Sequence, residues 1–436
     1  MNPLSSNPWL KADELTRRGF MSNAARTLLG VHLLPMYGSA IAAGAPEPDP
    51  KARAKHVIYL FMAGGMSHLD TFDPKPKKKD VMGKTETIPT KADDVMLGHY
   101  LKKTAGVMDK VCVINSMNST QGAHEQGSYI MHTSYSLRGT IKHPSLGSWV
   151  LRLGGRIHPE LPGFVAIDSS PDLTGGGFFG AKYSAAPIGS PEEGLKDSHR
   201  ADAVTAADFD RRLALADKLN RRFHERYPNA DVKAYEELYR EAVALMNSKD
   251  LKAFDLREEP QATRDLYGSG RFAQGCMLAR RLVEHGVRFV EVQLGGWDTH
   301  YDNFTGVEGR CQEFDQAYAA LLTDLEACGK LHETLVVVAT EFGRTPEIKT
   351  EHQGGRDHHP SAFSCTLAGG GVKGGIKHGL TDSAGNKVKD GMVTVQDFNA
   401  TIAHALGIPW DKVLMSPTRR PFTIADKGKP VTSIFS

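Results

Sequence analysis

Two short segments of the sequence combine carboxylates with imidazoles in a pattern that suits a metal ion. Asp298 and His300 are two residues apart, so in an extended segment both side chains point to the same side. Asp357 and His358 offer further ligands from a separate part of the chain. A mixture of carboxylates and imidazoles suits zinc, manganese or iron better than calcium, which prefers oxygen ligands alone. The alternative interpretation is an Asp–His hydrogen bond that ties two loops together.

Four apolar runs predict the buried strands that would position these segments. The runs are His56–Met62, Val111–Ile114, Val287–Leu294 and Thr334–Thr340. A polar cluster follows each run; Asp298 and His300 come after the third, and Asp357 and His358 after the fourth. Because ligands bind at the carboxyl ends of the strands in an open parallel sheet, we expect the clusters to meet at one edge.

Helical patterns complete the predicted fold. Between the third and fourth strands, apolar residues recur at helical spacing, namely Phe314, Ala317, Tyr318, Leu321, Leu322 and Leu325. Residues 205–285 are charged and helix-prone, which predicts a helical insertion or a set of crossover helices. Thr394 to Asp397 resembles a capping box, and the helix that it begins would stop at Gly407. The predicted fold class is α/β, with a central, mostly parallel sheet flanked by helices and a helical insertion.

The N-terminal segment has the features of a twin-arginine export signal. Arg17 and Arg18 stand before an aromatic residue and a methionine, and a weakly apolar stretch follows from Ala24 to Ala43. Ala40-Ile41-Ala42 fits a cleavage site of the A-x-A type. Polar residues interrupt the apolar stretch, so we expect no stable membrane insertion after the signal is removed. The alternative is a chance arginine pair before an amphipathic helix.

The chain therefore divides into three predicted parts. They are a signal peptide (1–42), a linker (43–55) and a single domain (56–436). The predicted partner in export is the twin-arginine translocase, and the predicted location is periplasmic or secreted.

Charge and cysteine usage exclude several functional classes. Residues 1–42 hold four of the 53 basic and two of the 51 acidic side chains, so the remainder has 49 of each. A neutral domain lacks the field that condenses a protein onto phosphate backbones, which makes nucleic acid an unsuitable partner. The five cysteines are far apart and form no CxxC or CxxCH, which argues against a disulfide framework, a structural zinc knot or c-type haem. A redox-cofactor protein, another exported class, has no GxGxxG or iron–sulfur signature to support it.

Several longer motifs resemble a bacterial family known as domain of unknown function 1501. The similar segments are Thr16–Arg18, Ala63–Pro76, Gly295–His300, Thr340–Pro346, Gly355–His358 and Ala368–Gly375. That family is regarded as part of the alkaline phosphatase and sulfatase superfamily. The resemblance therefore implies an alkaline-phosphatase-like fold, a divalent metal and an anionic ester substrate, either a small molecule or a glycan.

The resemblance also implies which residues hold the metal. Asp298, His300 and His358 match one metal site of the superfamily, with Glu341 as a further ligand and Asp357 beside them. The expected cofactor is zinc, with manganese, iron and calcium as alternatives. Three positions depart from the superfamily pattern and remove most of a second metal site, namely Gly64, Gln293 and Phe342, unless His68 or Asp70 substitutes for the first.

Two further residues are predicted to act on the ester. His124 falls where the superfamily has its nucleophile at the start of a helix that ends near Thr133. It would be a further ligand, the group that handles the proton, or an unusual nucleophile. Arg344 has a planar guanidinium that matches phosphate or sulfate oxygens, and the alternative is a structural salt bridge.

The function predicted from the sequence is an exported, metal-dependent hydrolase of phosphate or sulfate esters. The alternative is a catalytically degenerate binding protein of the same fold. Gly64, Gln293 and Phe342 favour that alternative, because they replace expected metal ligands.

Overall fold

The computed structural model describes residues 53–195, 198, 200, 203–226 and 241–436. The predicted signal peptide and residues 43–52 of the predicted linker lie outside the described residues. The α-helices include α1 (Lys79–Met82), α2 (Lys102–Ala105), α3 (His124–Thr133), α4 (Leu146–Gly154), α5 (Ala206–Arg226), α6 (Gln261–Tyr267), α7 (Arg271–Glu284), α8 (Asn303–Ala327) and α9 (Val395–Ala405). Short 3₁₀ helices lie at Met108–Lys110, Gly177–Phe179, Ala181–Tyr183, Lys249–Phe254, Leu256–Glu258, Leu331–Glu333, Thr350–His352 and Thr432–Ile434.

The strands belong to one large sheet and four small ladders. The large sheet contains β1 (His56–Met62), β4 (Val111–Asn118), β5 (Phe164–Ile167), β6 (Ala186–Ile188), β7 (Phe289–Leu294), β8 (Thr334–Ala339), β11 (Phe363–Ala368), β12 (Ile376–His378) and β15 (Val393–Thr394). The small ladders pair β2 (Thr87–Pro89) with β3 (Met96–Gly98), β9 (Gly343–Arg344) with β10 (His358–His359), β13 (Leu380–Thr381) with β14 (Val388–Asp390), and β16 (Leu414–Met415) with β17 (Pro421–Phe422).

The large sheet is mostly parallel, as the sequence predicts. Its order is β12-β4-β11-β8-β1-β7-β5-β6. The short strand β15 pairs with the end of β4, after the part of β4 that pairs with β12. The strand β11 runs antiparallel to both of its neighbours, while the other pairs are parallel. All four predicted apolar runs form strands, β1, β4, β7 and β8, and β1 and β8 are buried along their whole length. Strands of this kind are covered by helices on both faces, which explains their continuous apolar sequences.

Helices cover both faces of the sheet, and the alternation of β1 separates the two layers of the core. Ile58, Leu60 and Met62 pack in one cluster with residues of α7 and α8. Val57, Tyr59 and Phe61 pack in the other cluster with residues of α3, α4 and α9. Successive side chains of a strand point to opposite faces, so one strand contributes to both layers. The result is a three-layer α/β architecture.

The predictions for α8 and for the start of α9 agree with the structure. All six predicted apolar positions of α8 are buried, and this helix connects β7 to β8. The capping box of α9 is present, because Thr394 and Asp397 exchange side-chain and backbone hydrogen bonds. Within the 205–285 region, α7 packs against β7 as part of the core. Whether that region is an insertion or a set of crossover helices stays a prediction.

None of the helices in the described part of the chain combines the length and apolar character needed to cross a membrane.

Candidate metal centre

The carboxyl edge of the sheet gathers side chains from distant parts of the sequence. Asp298 lies in the loop after β7, and Glu341 follows β8. His124 is the first residue of α3, in the connection that follows β4. His358 lies in β10, directly opposite Arg344 of β9. The connections of the parallel sheet thus meet where ligands of such sheets bind.

Gly64 lets the loops after β1 and β7 pack closely at this edge. Its φ is +116°, and a Cβ at this position would lie 2.6 Å from the backbone nitrogen of Asp298. Glycine is the residue that accepts both the positive φ and the close approach. Its own N–H donates to Oε1 of Glu341 over 2.8 Å. The departure of Gly64 from the superfamily pattern therefore has a structural reason, because the backbone at this position contacts Glu341 and lies against the loop of Asp298.

Three side chains form a group with the spacing of metal ligands. His124, Asp298 and His358 each offer one atom, and these atoms lie within 4.8 Å of one another. The Nε2 atom of His124 is 3.3 Å from Oδ2 of Asp298, and Nε2 of His358 is 3.4 Å from Oδ1. Asp298 and His358 are 60 positions apart in the sequence, and His124 is much farther from both. All three nevertheless converge on one space.

His300 approaches the same space from another side. Its Nε2 atom lies 3.3 Å from Oδ1 of Asp298 and 2.9 Å from Nε2 of His358. The opposite ring nitrogens are engaged elsewhere, since Nδ1 of His300 contacts Oδ1 of Asp357 over 3.0 Å and Nδ1 of His358 contacts the Gly122 carbonyl over 2.8 Å. Both acceptors require a proton on Nδ1, so both Nε2 lone pairs face the centre.

His124 is held in the same way by a buried carboxylate. Its Nδ1 donates to Oε1 of Glu341 over 2.8 Å, and Glu341 is only 1% exposed. Its Nε2 is buried and has no hydrogen-bond partner among the described residues. The hydrogen bond that His124 donates to Glu341 raises the pKa of His124 against the opposing effect of burial, helped by the charges of Glu341 and Asp298. A carboxylate on the far nitrogen is the usual support of a metal-binding imidazole.

Asp298 is fixed by a guanidinium that has no exposed surface. Arg344 donates to Oδ1 of Asp298 over 2.6 Å, and its other N–H groups donate to the carbonyls of Gly64, Gly65 and Arg356. Burial opposes ionisation of Asp298, but the hydrogen bond and charge of Arg344 outweigh it and lower the pKa. In this structure Arg344 orients the carboxylate of Asp298, and its contact with an ester stays a prediction.

Glu341 and Asp357 are two of the predicted ligands. Each lies outside the centre and is hydrogen-bonded to one of its histidines. Glu341 accepts from Nδ1 of His124, and Asp357 contacts Nδ1 of His300. Each carboxylate thus meets the ring nitrogen that points away from the centre. Their role as direct ligands stays a prediction.

The positions expected for a second metal site have other roles. The ring of Phe342 stacks on His358 with centroids 4.4 Å apart and lies 5.1 Å from His124. Asp70 is fully buried in an ion pair with Arg356, and His68 directs Nε2 to the Gly385 carbonyl over 2.8 Å. Neither belongs to the group of ligand atoms within the described residues. Among the residues that the structure describes, one group of side chains has the spacing of metal ligands, the group around Asp298.

A divalent cation fits the residues of this centre. Two facing Nε2 lone pairs at 2.9 Å repel one another unless a proton or a cation lies between them, and a carboxylate stands beside both. The buried Nε2 of His124 adds a third lone pair without a donor. Burial, with the charges of Arg344, His124 and His300, lowers the pKa of His358 and favours the neutral imidazole that binds metals.

Two contributors to the centre escape prediction from the sequence. The carbonyl of Gly122 sets the tautomer of His358, and Lys349 pairs with Asp357. A backbone carbonyl carries no residue-type signal, and a lysine in a polar loop looks like any solvated charge.

Three solved structures are remotely similar to this chain. The lipoteichoic acid synthase LtaP from Listeria monocytogenes is 9% identical with a TM-score of 0.39, over 90% of this chain and 79% of that one. PsFucS1 sulfatase from Pseudoalteromonas sp. is 12% identical with a TM-score of 0.34, over 86% and 73%. The zinc complex of the C-terminal periplasmic domain of EcEptC from Escherichia coli is 8% identical with a TM-score of 0.37, over 88% and 91%. Likeness of this degree transfers no activity to this chain.

Comparison at the level of sequence gives a family. Curated protein sequences include no match to the chain. A family model described as "Protein of unknown function (DUF1501)" matches residues 54–435, which is nearly the whole described chain. The chain therefore belongs to the DUF1501 family.

Proposed function

We propose that this chain is an exported hydrolase of phosphate or sulfate esters that works with a single divalent metal ion. The observation that carries the proposal is the convergence of His124, Asp298 and His358 on one space, with His300 beside them. Three of these side chains are imidazoles whose tautomers are set by partners outside the centre. Such preorganisation is typical of a metal site and is not needed for a simple tie between loops.

The proposed ligands are Nε2 of His124, an oxygen of Asp298 and Nε2 of His358, with His300 as the fourth. A set of three imidazoles and one carboxylate suits zinc best, and manganese or iron are the closest alternatives. Calcium is the least suitable, because it prefers oxygen ligands. When bound, such a cation supplies Lewis-acid polarisation of an ester oxygen and makes a water molecule more acidic.

The remaining residues orient this centre. Arg344 keeps one oxygen of Asp298 in place, and Glu341 engages Nδ1 of His124, so that Nε2 is the ring nitrogen that faces the centre. Phe342 packs flat on the ring of His358 and limits its rotation. These contacts hold the ligands before any substrate arrives, which reduces the reorganisation needed on binding.

The centre is open to solvent on the side from which a substrate would come. The side chain of Asp298 is 47% exposed and that of His300 is 36% exposed. A large anionic ester, such as one on a glycan, has access to a site of this kind without movement of the fold. We propose a small-molecule or glycan ester as the substrate for this reason.

Export is proposed from the N-terminal sequence alone. Arg17 and Arg18 with the following apolar stretch fit a twin-arginine signal, so the translocase is the proposed partner and the periplasm or exterior the proposed location. Fusing residues 1–55 to a reporter and changing both arginines to lysine tests this. Export that survives the double substitution contradicts it.

The hydrolase proposal is tested with the purified protein loaded with zinc or manganese. Aryl phosphate, diaryl phosphate and aryl sulfate serve as probes, and Asp298→Ala is compared with Asp411→Ala, an exposed carboxylate. We expect metal-dependent turnover in the wild type and in Asp411→Ala, and the rate of the metal-free protein in Asp298→Ala. Equal rates for the wild type and Asp298→Ala contradict the proposal.

A second candidate is an exported binding protein that keeps the centre without catalysis. Phe342 and Gly64 favour it, because the positions of a second metal site are taken by packing and by backbone. This candidate is supported if the protein binds one metal ion per chain but hydrolyses none of the three ester probes. Turnover that depends on Asp298 rules it out.

A further inference from the structure

We propose that Lys349 and Asp357 form a clamp that orients His300 as the fourth ligand of the centre, so that Lys349 and Asp357 are positioning residues. The inference rests on the proposed metal function and deepens it. It also gives Asp357 a different role from the direct ligand predicted from the sequence.

Asp357 bridges two partners with its two oxygens. Its Oδ1 lies 3.0 Å from Nδ1 of His300, and its Oδ2 forms an ion pair with Nζ of Lys349. The carboxylate thus has a partner on each oxygen, and its contact with His300 is to the ring nitrogen that faces away from the centre.

The contact with Asp357 selects the tautomer of His300. An ionised carboxylate only accepts, so Nδ1 carries the proton and Nε2 keeps its lone pair. That lone pair points into the centre, 2.9 Å from Nε2 of His358 and 3.3 Å from Oδ1 of Asp298. Because 36% of the His300 side chain is exposed, packing alone does not fix the rotation of its ring. The hydrogen bond to Asp357 therefore has to fix it.

The backbone ties the clamp to the loop that carries His300. Residues 349–355 form a closed turn, in which Lys349 N donates to the Gly355 carbonyl over 2.9 Å. Two hydrogen bonds join this turn and its flank to the His300 loop, from Arg356 N to the Thr299 carbonyl and from Asp302 N to the His352 carbonyl, each 3.1 Å long. Backbone hydrogen bonds therefore join the two loops into one unit.

Gly355 shows how closely this unit is packed. A Cβ at this position would lie 1.6 Å from the carbonyl oxygen of His300, so only glycine lets the turn rest against the backbone of His300. Asp357 is further held by its N–H, which donates to Oγ1 of Thr345 over 3.0 Å. The position of the carboxylate relative to the imidazole is thus set by backbone on both sides.

Metal affinity and ligand number test the clamp directly. Zinc affinity is measured by competition with a chelator, and the visible absorption of the cobalt(II)-loaded protein reports the number and type of ligands. The variants are Asp357→Ala, Lys349→Ala and the conservative Lys349→Arg, with the exposed Lys427→Ala as the matched control. All are full-length chains purified as the wild type is.

We expect Asp357→Ala to weaken zinc binding about 10–100-fold, the usual effect of removing an outer partner of a ligand. We expect a smaller loss for Lys349→Ala, which acts through Asp357, and recovery in Lys349→Arg, since an arginine also pairs with a carboxylate. The cobalt spectrum of Asp357→Ala should lose the features of one imidazole ligand. Lys427→Ala should match the wild type in both measurements.

A purely structural clamp would give a different result. Asp357→Ala would then unfold more easily yet keep the zinc affinity and the cobalt spectrum of the wild type, and this outcome overturns the inference. Hydrolysis is a separate readout. The wild type could bind zinc, and the clamp variants could bind it more weakly, while no ester is hydrolysed. In that case the proposed function fails and the clamp stands. If hydrolysis occurs but the spectra do not change, the clamp fails and the function stands.

Discussion

His300 and His358 direct their Nε2 atoms at each other across 2.9 Å, although they lie 58 positions apart in the chain. Each ring has its Nδ1 bonded to an acceptor on the far side, Asp357 for one and the Gly122 carbonyl for the other. Neither Nε2 can then donate to its neighbour while both imidazoles are neutral. A cation shared by the two rings beside Asp298 would resolve this arrangement, and the proposed function depends on such a cation.

The free energy of unfolding, measured without substrate, distinguishes a structural role of Arg344 from a role in binding the substrate. Replacing it by methionine removes the donors to three carbonyls and to Asp298, and those carbonyls belong to Gly64, Gly65 and Arg356. A buried acceptor left without its donor costs about 1–3 kcal/mol, so we expect a loss of about 3 kcal/mol or more in the free energy of unfolding. Urea unfolding of the metal-free protein measures it.

The matched variants for this prediction are Arg344→Lys and Arg138→Met. Lysine carries the charge but cannot reach four acceptors from one point, so Arg344→Lys should remain strongly destabilised. Arg138 is exposed, and its substitution should have little effect. Wild-type stability in Arg344→Met, with only a raised KM for an ester, would show instead that the guanidinium serves the substrate.

Gly355→Ala should disturb the centre without touching a ligand. The new methyl group would overlap the His300 carbonyl, where a Cβ has only 1.6 Å, so the two loops must separate. Overpacking of this kind costs about 1–3 kcal/mol or more. We expect a lower melting temperature and weaker zinc binding, measured by calorimetry. Gly309→Ala, on α8 with open space around its Cβ, is the control, and equal effects of the two substitutions would contradict the account.

A buried ion pair beneath the centre predicts a pH dependence of stability. His132 contacts Oε1 of Glu291 over 3.2 Å, and both side chains are 2% exposed. Burial alone would lower the pKa of His132, but the charge and hydrogen bond of Glu291, with the Ser128 carbonyl, outweigh it and raise the pKa. The stabilisation is therefore complete below the ordinary value of 6.5 and is lost as the pH rises through the raised pKa.

His132→Gln tests this dependence. It leaves Glu291 buried without its counter-charge, which should cost about 3–5 kcal/mol at low pH. Unfolding by urea between about pH 6 and pH 9 gives the difference between the wild type and the variant at each pH, and we expect that difference to shrink as the pH rises. His332→Gln, at an exposed histidine, should show no such trend. A difference that stays constant with pH would mean that His132 is neutral in the folded protein.

Much of the fold follows from the sequence because parallel strands buried on both faces leave a strong pattern. The runs that form β1, β4, β7 and β8 are nearly all apolar, and the helix between the last two keeps its periodicity. Short strands are harder. The four residues of β5 and the three of β6 give too few positions to separate a strand from a buried loop.

The candidate site, too, is only partly predictable from the sequence, because the sequence gives the residue types and not the contacts between them. Asp298, His300 and His358 stand out because carboxylates and imidazoles follow predicted strands. The resemblance to a superfamily adds His124 at the start of α3, and the helix does begin there and end at Thr133. Ligands and their outer partners carry the same residue types, so the sequence does not separate Asp298 from Asp357 or Glu341. That distinction depends on which ring nitrogen each carboxylate meets.

The most direct test of the single-metal centre is anomalous diffraction at the zinc edge from crystals of the protein grown with zinc. The account predicts one strong peak, with Nε2 of His124, Nε2 of His358 and an oxygen of Asp298 at bonding distances of about 2.0–2.2 Å. Glu341 and Asp357 should remain on the Nδ1 atoms of His124 and His300. A zinc peak at other side chains, or crystals without one at saturating zinc, would contradict it.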